Sequence, residues 1–303
     1  MYDECKALIF AVNNGHIFMV RLLLAHGARV NFGVPLVVAI QAGRIDIVCV
    51  LLKYNPNLNA IYSFDKLSGW CIDSYNMTVC TPLIAAVAVK SVATITLLLD
   101  RGADVDALLL DTTNPTVCTS HTSISAYVMA CFVLNIDIIN LLEPRLTDYK
   151  RDLKHAMISL AKVKSVTHRE TILNFLLREK GVDINCEIYS TTALMAAIDV
   201  GIDVEFINLL MRNGADPNCQ DSRGKTALHI FIQYKVVPLP NHGGVNIDIL
   251  DIIECFLEHK TDVTIRDSDD ISVFDLHPPP PEPVHDLLGR YYERNKIDLN
   301  ILK

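Results

Sequence analysis

Cysteine and histidine are the residues of this 303-residue chain whose types and spacing could hold a metal. Cys118-Thr119-Ser120-His121 has the C-x2-H spacing found in zinc sites, and Cys71 and Cys80 lie upstream of it. Cys80 and His121 each precede a threonine expected to open a helix, Thr81 and Thr122, which would put them at equivalent positions of neighbouring units. Convergence is opposed by distance. Helices that stack side by side lie about 10 Å apart, whereas zinc ligands must come within about 2.3 Å of one ion. The step from Cys71 to Cys80 is also longer than the short loop of most zinc sites. Unpaired, reduced thiols are the favoured reading, with zinc and a disulfide as alternatives, and no cofactor is expected.

Other chemistry finds less support. The chain has no G-x-S-x-G, P-loop, G-x-G-x-x-G after a strand, or H-E-x-x-H, so no enzyme is expected. Asp267-Ser268-Asp269-Asp270 lacks the spacing of a calcium loop and reads as a solvated turn. Lys150, Arg151, Lys154, Lys162, Lys164, His168 and Arg169 form the densest basic stretch. It reads as a solvated face, with contact to an acidic partner as the alternative.

The elements that must position any such groups are set by composition and repetition. Half the residues are apolar, 20% are charged and the net charge is −8, enough to bury a large core. An acidic balance argues against nucleic acid or an anionic membrane as partner. No apolar run approaches the roughly 20 residues of a membrane helix, and the N-terminus lacks the basic and apolar regions of a secretory signal. Nine cysteines without a regular framework suggest an intracellular, reducing compartment, cytoplasmic before nuclear.

One pattern recurs. Ala7-Leu8-Ile9-Phe10-Ala11, Pro35-Leu36-Val37-Val38-Ala39, Thr81-Pro82-Leu83-Ile84-Ala85-Ala86, Thr192-Ala193-Leu194-Met195-Ala196-Ala197 and Thr226-Ala227-Leu228-His229 are versions of one segment. The first four are followed by leucine runs and then by turns such as His26-Gly27-Ala28-Arg29-Val30-Asn31, Arg101-Gly102-Ala103-Asp104-Val105-Asp106 and Asn213-Gly214-Ala215-Asp216-Pro217-Asn218. Thr is a helix N-cap, Pro suits the first helical turn, and Gly ends the second helix. These motifs resemble the ankyrin repeat family, with its period of about 33 residues and its T-P-L-H-x-A signature. The resemblance covers roughly 4–276 and implies an all-α solenoid of about seven to eight helix–turn–helix–finger units. The expected units are 4–31, 34–60, 81–107, 122–148, 153–185, 190–218 and 224–265, with a vestigial one at 267–276. A Pro-rich turn and a capping helix, expected over Val284–Asn295, fill 277–303. By the same resemblance His229 should hydrogen-bond between neighbouring loops.

The departures are particular to this chain. Insertions fall at 61–80 and 108–121, and an intra-repeat insertion falls at 236–245. The first holds the only tryptophan, Trp70, with Tyr62, Phe64 and Tyr75; aromatics on a finger are hot-spot candidates, or else a cover for the helices beneath. Family resemblance implies protein binding on the concave face, through residues two, five and six after each key leucine. These are Phe10, Asn13 and Asn14; Val38, Gln41 and Ala42; and Ile230, Gln233 and Tyr234. Apolar Val38, Ala85, Ala88 and Val89 suggest a hydrophobic groove for a peptide or helix, or else self-association. An adaptor or scaffold follows, in the style of viral and bacterial ankyrin proteins that engage host proteins. The alternative is a ligand-binding or metal-dependent protein built on Cys71, Cys80, Cys118 and His121.

Overall fold

The computed structural model describes the chain apart from residues 1, 32–33, 64–78, 108, 111–122, 164–165, 201–202, 237–246, 277–278 and 302–303. Its contacts group into two units, Met1–Pro115 with Ser123–Ala156, and Met157–Lys303.

In the first unit four helix pairs follow one another: α1 (Tyr2–Asn13) with α2 (Ile17–Ala25), α3 (Pro35–Gln41) with α4 (Ile45–Leu52), α5 (Pro82–Ala88) with α6 (Val92–Asp100), and α7 (Ala126–Val133) with α8 (Ile136–Leu142). Each first helix packs on the next, α1 on α3, α3 on α5 and α5 on α7, and on its own second helix. The core is aliphatic, from Leu8 and Val12 through Leu36, Ile47, Leu51, Leu83, Ile95 and Leu98 to Phe132 and Ile138. Several of these helices begin where the sequence supplies a cap, α5 at Thr81 and α8 at Asn135 among them. Thr81 accepts from Ile84 N at 3.3 Å, and Asn135 from Ile138 N at 3.2 Å. They end where a residue can take the left-handed conformation: at Gly102 (φ 87°) the chain reverses so that Ala103 N reaches Leu98 O at 3.0 Å, a pattern that satisfies the orphan carbonyls of the last turn.

The insertions at 61–80 and 108–121 are each rooted in a two-residue antiparallel ladder. β1 (Tyr62–Ser63) pairs with β2 (Val79–Cys80), Tyr62 opposite Cys80. β3 (Leu109–Leu110) pairs with β4 (Ser123–Ile124), Leu109 opposite Ile124. The fourth pair corrects one expectation. Ser125, not Thr122, caps α7, accepting from Val128 N at 3.1 Å. The position equivalent to Cys80 is therefore Ile124, and the supposed equivalence of Cys80 and His121 fails. Thr122, Ser123 and Ser125 lie within four residues there, and all can cap. The burial of Ala126 and Tyr127 selects the third. The unit ends within α9 (Tyr149–Ser159), which starts four residues before the expected 153. Asp148 supplies the cap, accepting from Arg151 N at 3.1 Å.

In the second unit α10 (Val166–Asn174) continues as a π-helical turn, Phe175–Glu179. Then come α11 (Ala193–Val200) with α12 (Val204–Arg212), and α13 (Ala227–Phe231), prolonged by a π-helical turn over Ile232–Val236, with α14 (Ile247–Glu258). Here α11 packs on α13, and α10, α12 and α14 follow in a second row. Residues 267–276 form turns without a helix. The C-terminal helix α15 (Glu282–Ile301) is longer than expected. It packs on α14 and buries Val284 and Leu288, while Leu287 and Tyr291 are half-buried.

Candidate protein-binding surface

Residues two after the key leucine do not share one environment. Phe10 is 67% exposed, but Val38 and Ile230 are each only 3% exposed, and Ala85 is fully buried. The expectation that Val38 and Ile230 face a partner is therefore corrected. α3 is enclosed by α1, α4 and α5, and α13 packs on α11, so this position turns into the stack. The apolar groove expected at Val38 and Ala85 is core, while Ala88 and Val89 remain half-buried.

Positions five and six stay nearer solvent. Asn13, Asn14 and Ala42 are exposed, and Gln41, Gln233 and Tyr234 are half-buried. Asn14 Nδ2 donates back to Phe10 O at 2.8 Å. Gln41 stands apart: both its amide nitrogen and its amide oxygen are enclosed, with no hydrogen-bond partner among the described residues. In the second unit Gln233 and Tyr234 are already engaged. Lys225 Nζ donates to Gln233 Oε1, lies 5.9 Å from the Tyr234 ring centroid and 4.0 Å from Asp267. Asp267 was read as part of a solvated turn. It is buried, and its carboxylate accepts from Asp269 N and Ile271 N at 3.0 Å each.

Among the finger residues Tyr62 is half-buried. Burial, then the neighbouring Cys80, pushes its phenol above the ordinary tyrosine range. Trp70, Phe64, Tyr75, Cys71, Cys118 and His121 lie outside the described residues, so Cys80 alone of the four metal candidates can be placed. It is buried beside Thr81. Among the described residues no group of three His, Cys, Asp or Glu could hold a metal ion.

His229 has the expected structural place. It is fully buried, its Nδ1 accepts from Thr226 N at 3.3 Å, and its Nε2 meets Ile271 O of the next loop at 3.3 Å. The first contact makes Nε2 the protonated nitrogen, and burial holds the ring below the usual histidine range. A second buried set joins α7 and α9. Ser125 Oγ donates to Asp152, and His155 lies one turn further along α9, with Nδ1 unpartnered among the described residues. Ser, His and Asp are together here, but Ser125 already donates to the carboxylate and all three are buried. Burial raises the Asp152 carboxyl. Burial, then Arg151, lowers His155 to about 4. The arrangement is a polar tie within the core.

The most regular polar device is one that the sequence reading treated only as turn chemistry. The Oδ1 of Asn31, Asn59 and Asp106 accepts a backbone N–H from the following finger: Asn57 at 2.6 Å, Asp104 at 2.9 Å and Thr147 at 3.1 Å. Asn185 and Asn218 do the same for Asp216 and Asp262, both at 2.7 Å. The signal was present as paired residues two apart, such as Asp104 with Asp106 and Asp216 with Asn218. The first of each pair accepts from the backbone of the second at 2.9 Å, turning the second toward its neighbour.

Comparison with family models matches ankyrin repeats (3 copies) over residues 2–62, an ankyrin repeat over 80–108 and ankyrin repeats (many copies) over 176–231. The chain is an ankyrin repeat protein. Among solved structures it is similar to the human ASB11 ankyrin repeat domain, at 19% identity over 84% of this chain and 98% of that one, with a TM-score of 0.46. It is also similar to the ankyrin repeat domain of Bcl-3, a member of the IkappaB family, at 19% identity over 85% and 99%, with a TM-score of 0.48. No curated protein sequence matches. In this ankyrin protein the basic stretch needs one correction: Arg169 is not on a solvated face. It is buried, and its guanidinium donates to Val163 O and to the Asp203 carboxylate.

Proposed function

We propose that this protein is a non-catalytic adaptor that holds a partner protein along its first-helix face, with the fingers alongside. Ankyrin repeats are generally protein–protein interaction modules, and no helix among the described residues is long and apolar enough to cross a membrane. The observation that carries the reading is Gln41. An enclosed amide with neither atom paired costs about 1–3 kcal/mol per unmet group; turning this half-buried side chain outward brings both atoms to the backbone of an extended partner, which supplies both a donor and an acceptor. Exposed Asn13 and half-buried Ala88 occupy the corresponding positions in neighbouring repeats. The irregular fingers suit recognition of one particular partner inside a cell, in the manner of host-engaging ankyrin proteins.

The test is quantitative capture from cell lysate on the immobilised protein, with three forms compared. The first is the native chain, the second carries Asn13→Ala and Gln41→Ala, and the third has 64–78 replaced by the two-residue turn Asn-Gly, which lets the Tyr62–Cys80 ladder close. A single stoichiometric protein lost by about tenfold with the double substitution supports the face, and one lost with the deletion adds the finger. Capture equal in all three forms, or no stoichiometric protein with any of them, refutes the proposal.

A further inference from the structure

The last two helices of the second unit leave a groove between them. α15 packs on α14, yet the two enclose about 450 Å³ between Leu250 and Glu254 of α14 and the Glu282–Arg290 face of α15. That volume lies within the roughly 300–1,000 Å³ of sites that receive a ligand. Part of the lining is apolar: Leu250 and Leu287, both half-buried, with Pro283. The rest is charged and exposed. Glu254, Glu282 and Asp286 stand against Arg290, the one cation among the lining residues. Arg290 lies four residues after Asp286, a spacing that favours an ion pair. Its Nε donates instead to the backbone oxygen of Asp286 at 3.3 Å. Among the described residues none of the three carboxylates makes an ion pair. Nor are they gathered for a metal: among the described residues no group of three could hold one.

We infer that this groove receives a basic amphipathic helix of a partner protein, with an apolar side chain between Leu250 and Leu287 and lysines or arginines against Glu254, Glu282 and Asp286. The charge selects the sign of the occupant. Three uncompensated carboxylates, on a chain of net charge −8, draw a cationic segment in and turn an acidic one away. Exposed Asp251 and Glu258 extend the same sign along α14. The walls select its backbone. Both are helices whose N–H and C=O groups bond internally, so an extended segment finds no backbone partner there, whereas a helix satisfies its own. The spacing fits as well. Glu282 and Asp286 lie one turn apart, as residues i and i+4 of a bound helix do, and from Glu282 to Arg290 the wall runs about 12 Å, two turns of a partner helix. The groove shares no residue with the first-helix face proposed above, so the two readings stand or fall separately.

The test is fluorescence anisotropy with a labelled lysine–leucine peptide of about 14 residues, its leucines on one helical face. Two control peptides carry serine for every leucine, or glutamate for every lysine. The full chain is titrated from about 1 to 200 μM. The lysine–leucine peptide should bind saturably, with a dissociation constant of roughly 50 μM. The serine and glutamate peptides should bind at least about tenfold more weakly. Glu254→Lys with Asp286→Lys should weaken the lysine–leucine peptide at least about tenfold. Asp46→Lys with Asp137→Lys changes the net charge equally at exposed sites outside the groove and should cost no more than about twofold. All four positions are exposed, so the far-UV spectrum and urea midpoint of both variants should match the native chain. No saturable binding to about 200 μM, equal loss in the two variants, or a serine peptide that binds as well as the leucine one overturns the inference. So does self-association of the chain without peptide that Glu254→Lys with Asp286→Lys abolishes, since a second copy would then be the occupant.

Discussion

Removing the Arg169 guanidinium should be among the most costly single substitutions in the second unit. The side chain leaves α10 and makes three contacts: Nε to Val163 O, Nη1 to the Asp203 carboxylate, and Cζ 4.8 Å from the Phe206 ring centroid. Asp203 is itself the cap of α12, accepting from Phe206 N at 3.1 Å, so one cation ties two second helices together. Arg169→Ala strips the Val163 carbonyl of a charged donor, about 1.5–3 kcal/mol. It also removes a cation–π contact of about 0.5–2 kcal/mol. The ion pair adds only about 1 kcal/mol, because the Asp203 side chain is a third exposed and water screens it. Relief of guanidinium desolvation and of roughly 2 kcal/mol of rotamer entropy opposes these losses. The net is a destabilisation of about 2–3 kcal/mol. Asp203→Asn keeps a good cap and should cost about 1 kcal/mol. Urea unfolding of the two single variants and the double variant gives the coupling, expected near 1 kcal/mol. A loss under about 0.5 kcal/mol for Arg169→Ala, or no coupling with Asp203, would falsify the clamp.

Two further predictions concern burial and backbone strain. His155 titrates near 4 in the folded chain but about 6.5 when unfolded. Its contribution to stability is therefore whole above pH 6.5 and is lost as pH falls toward 4, by up to about 3 kcal/mol. Asp152, whose carboxyl is raised by burial, acts in the opposite sense on acidification and returns part of that loss. Urea midpoints from pH 7 to 4.5 should fall steeply for the native protein and much less for His155→Leu; equal slopes would sink the assignment. Lys90 is exposed at φ 58°, where the preceding pair has Gly43. Lys90→Gly relieves about 1–2 kcal/mol of left-handed strain and costs about 0.4–1 kcal/mol in unfolded-state entropy. It should raise stability by roughly 0.5–1 kcal/mol, and a fall in the urea midpoint would show that Lys90 makes a contact worth more than the strain.

The repeat was legible because its signals are local. Thr81-Pro82-Leu83 and Thr226-Ala227-Leu228-His229 carry a cap, a first turn and a key apolar residue within four positions, and each is where the structure starts a helix. Legibility failed where several residues could do the same local job. Thr122, Ser123 and Ser125 can all cap, and only packing of Tyr127 chose Ser125. Asp148 capped α9 before the expected start because nothing short-range distinguishes it from a turn aspartate.

The sequence by itself therefore determined the kind of unit, the order of the helix pairs and the places where fingers interrupt them, since caps, helical spacing and turn residues act over fewer than ten residues. Which face of each helix meets solvent was decided only in the tertiary structure. Val38 and Phe10 are both apolar and both two after a key leucine, yet one is core and the other surface, because α3 has a pair on either side and α1 has a pair on one. The same holds for charge. Arg169 sits in a basic run that reads as solvated, and it is buried because Asp203, 34 residues on, is brought to it by the stacking of α10 and α12. Burial depends on neighbours distant in the chain, and a one-dimensional pattern holds no record of them.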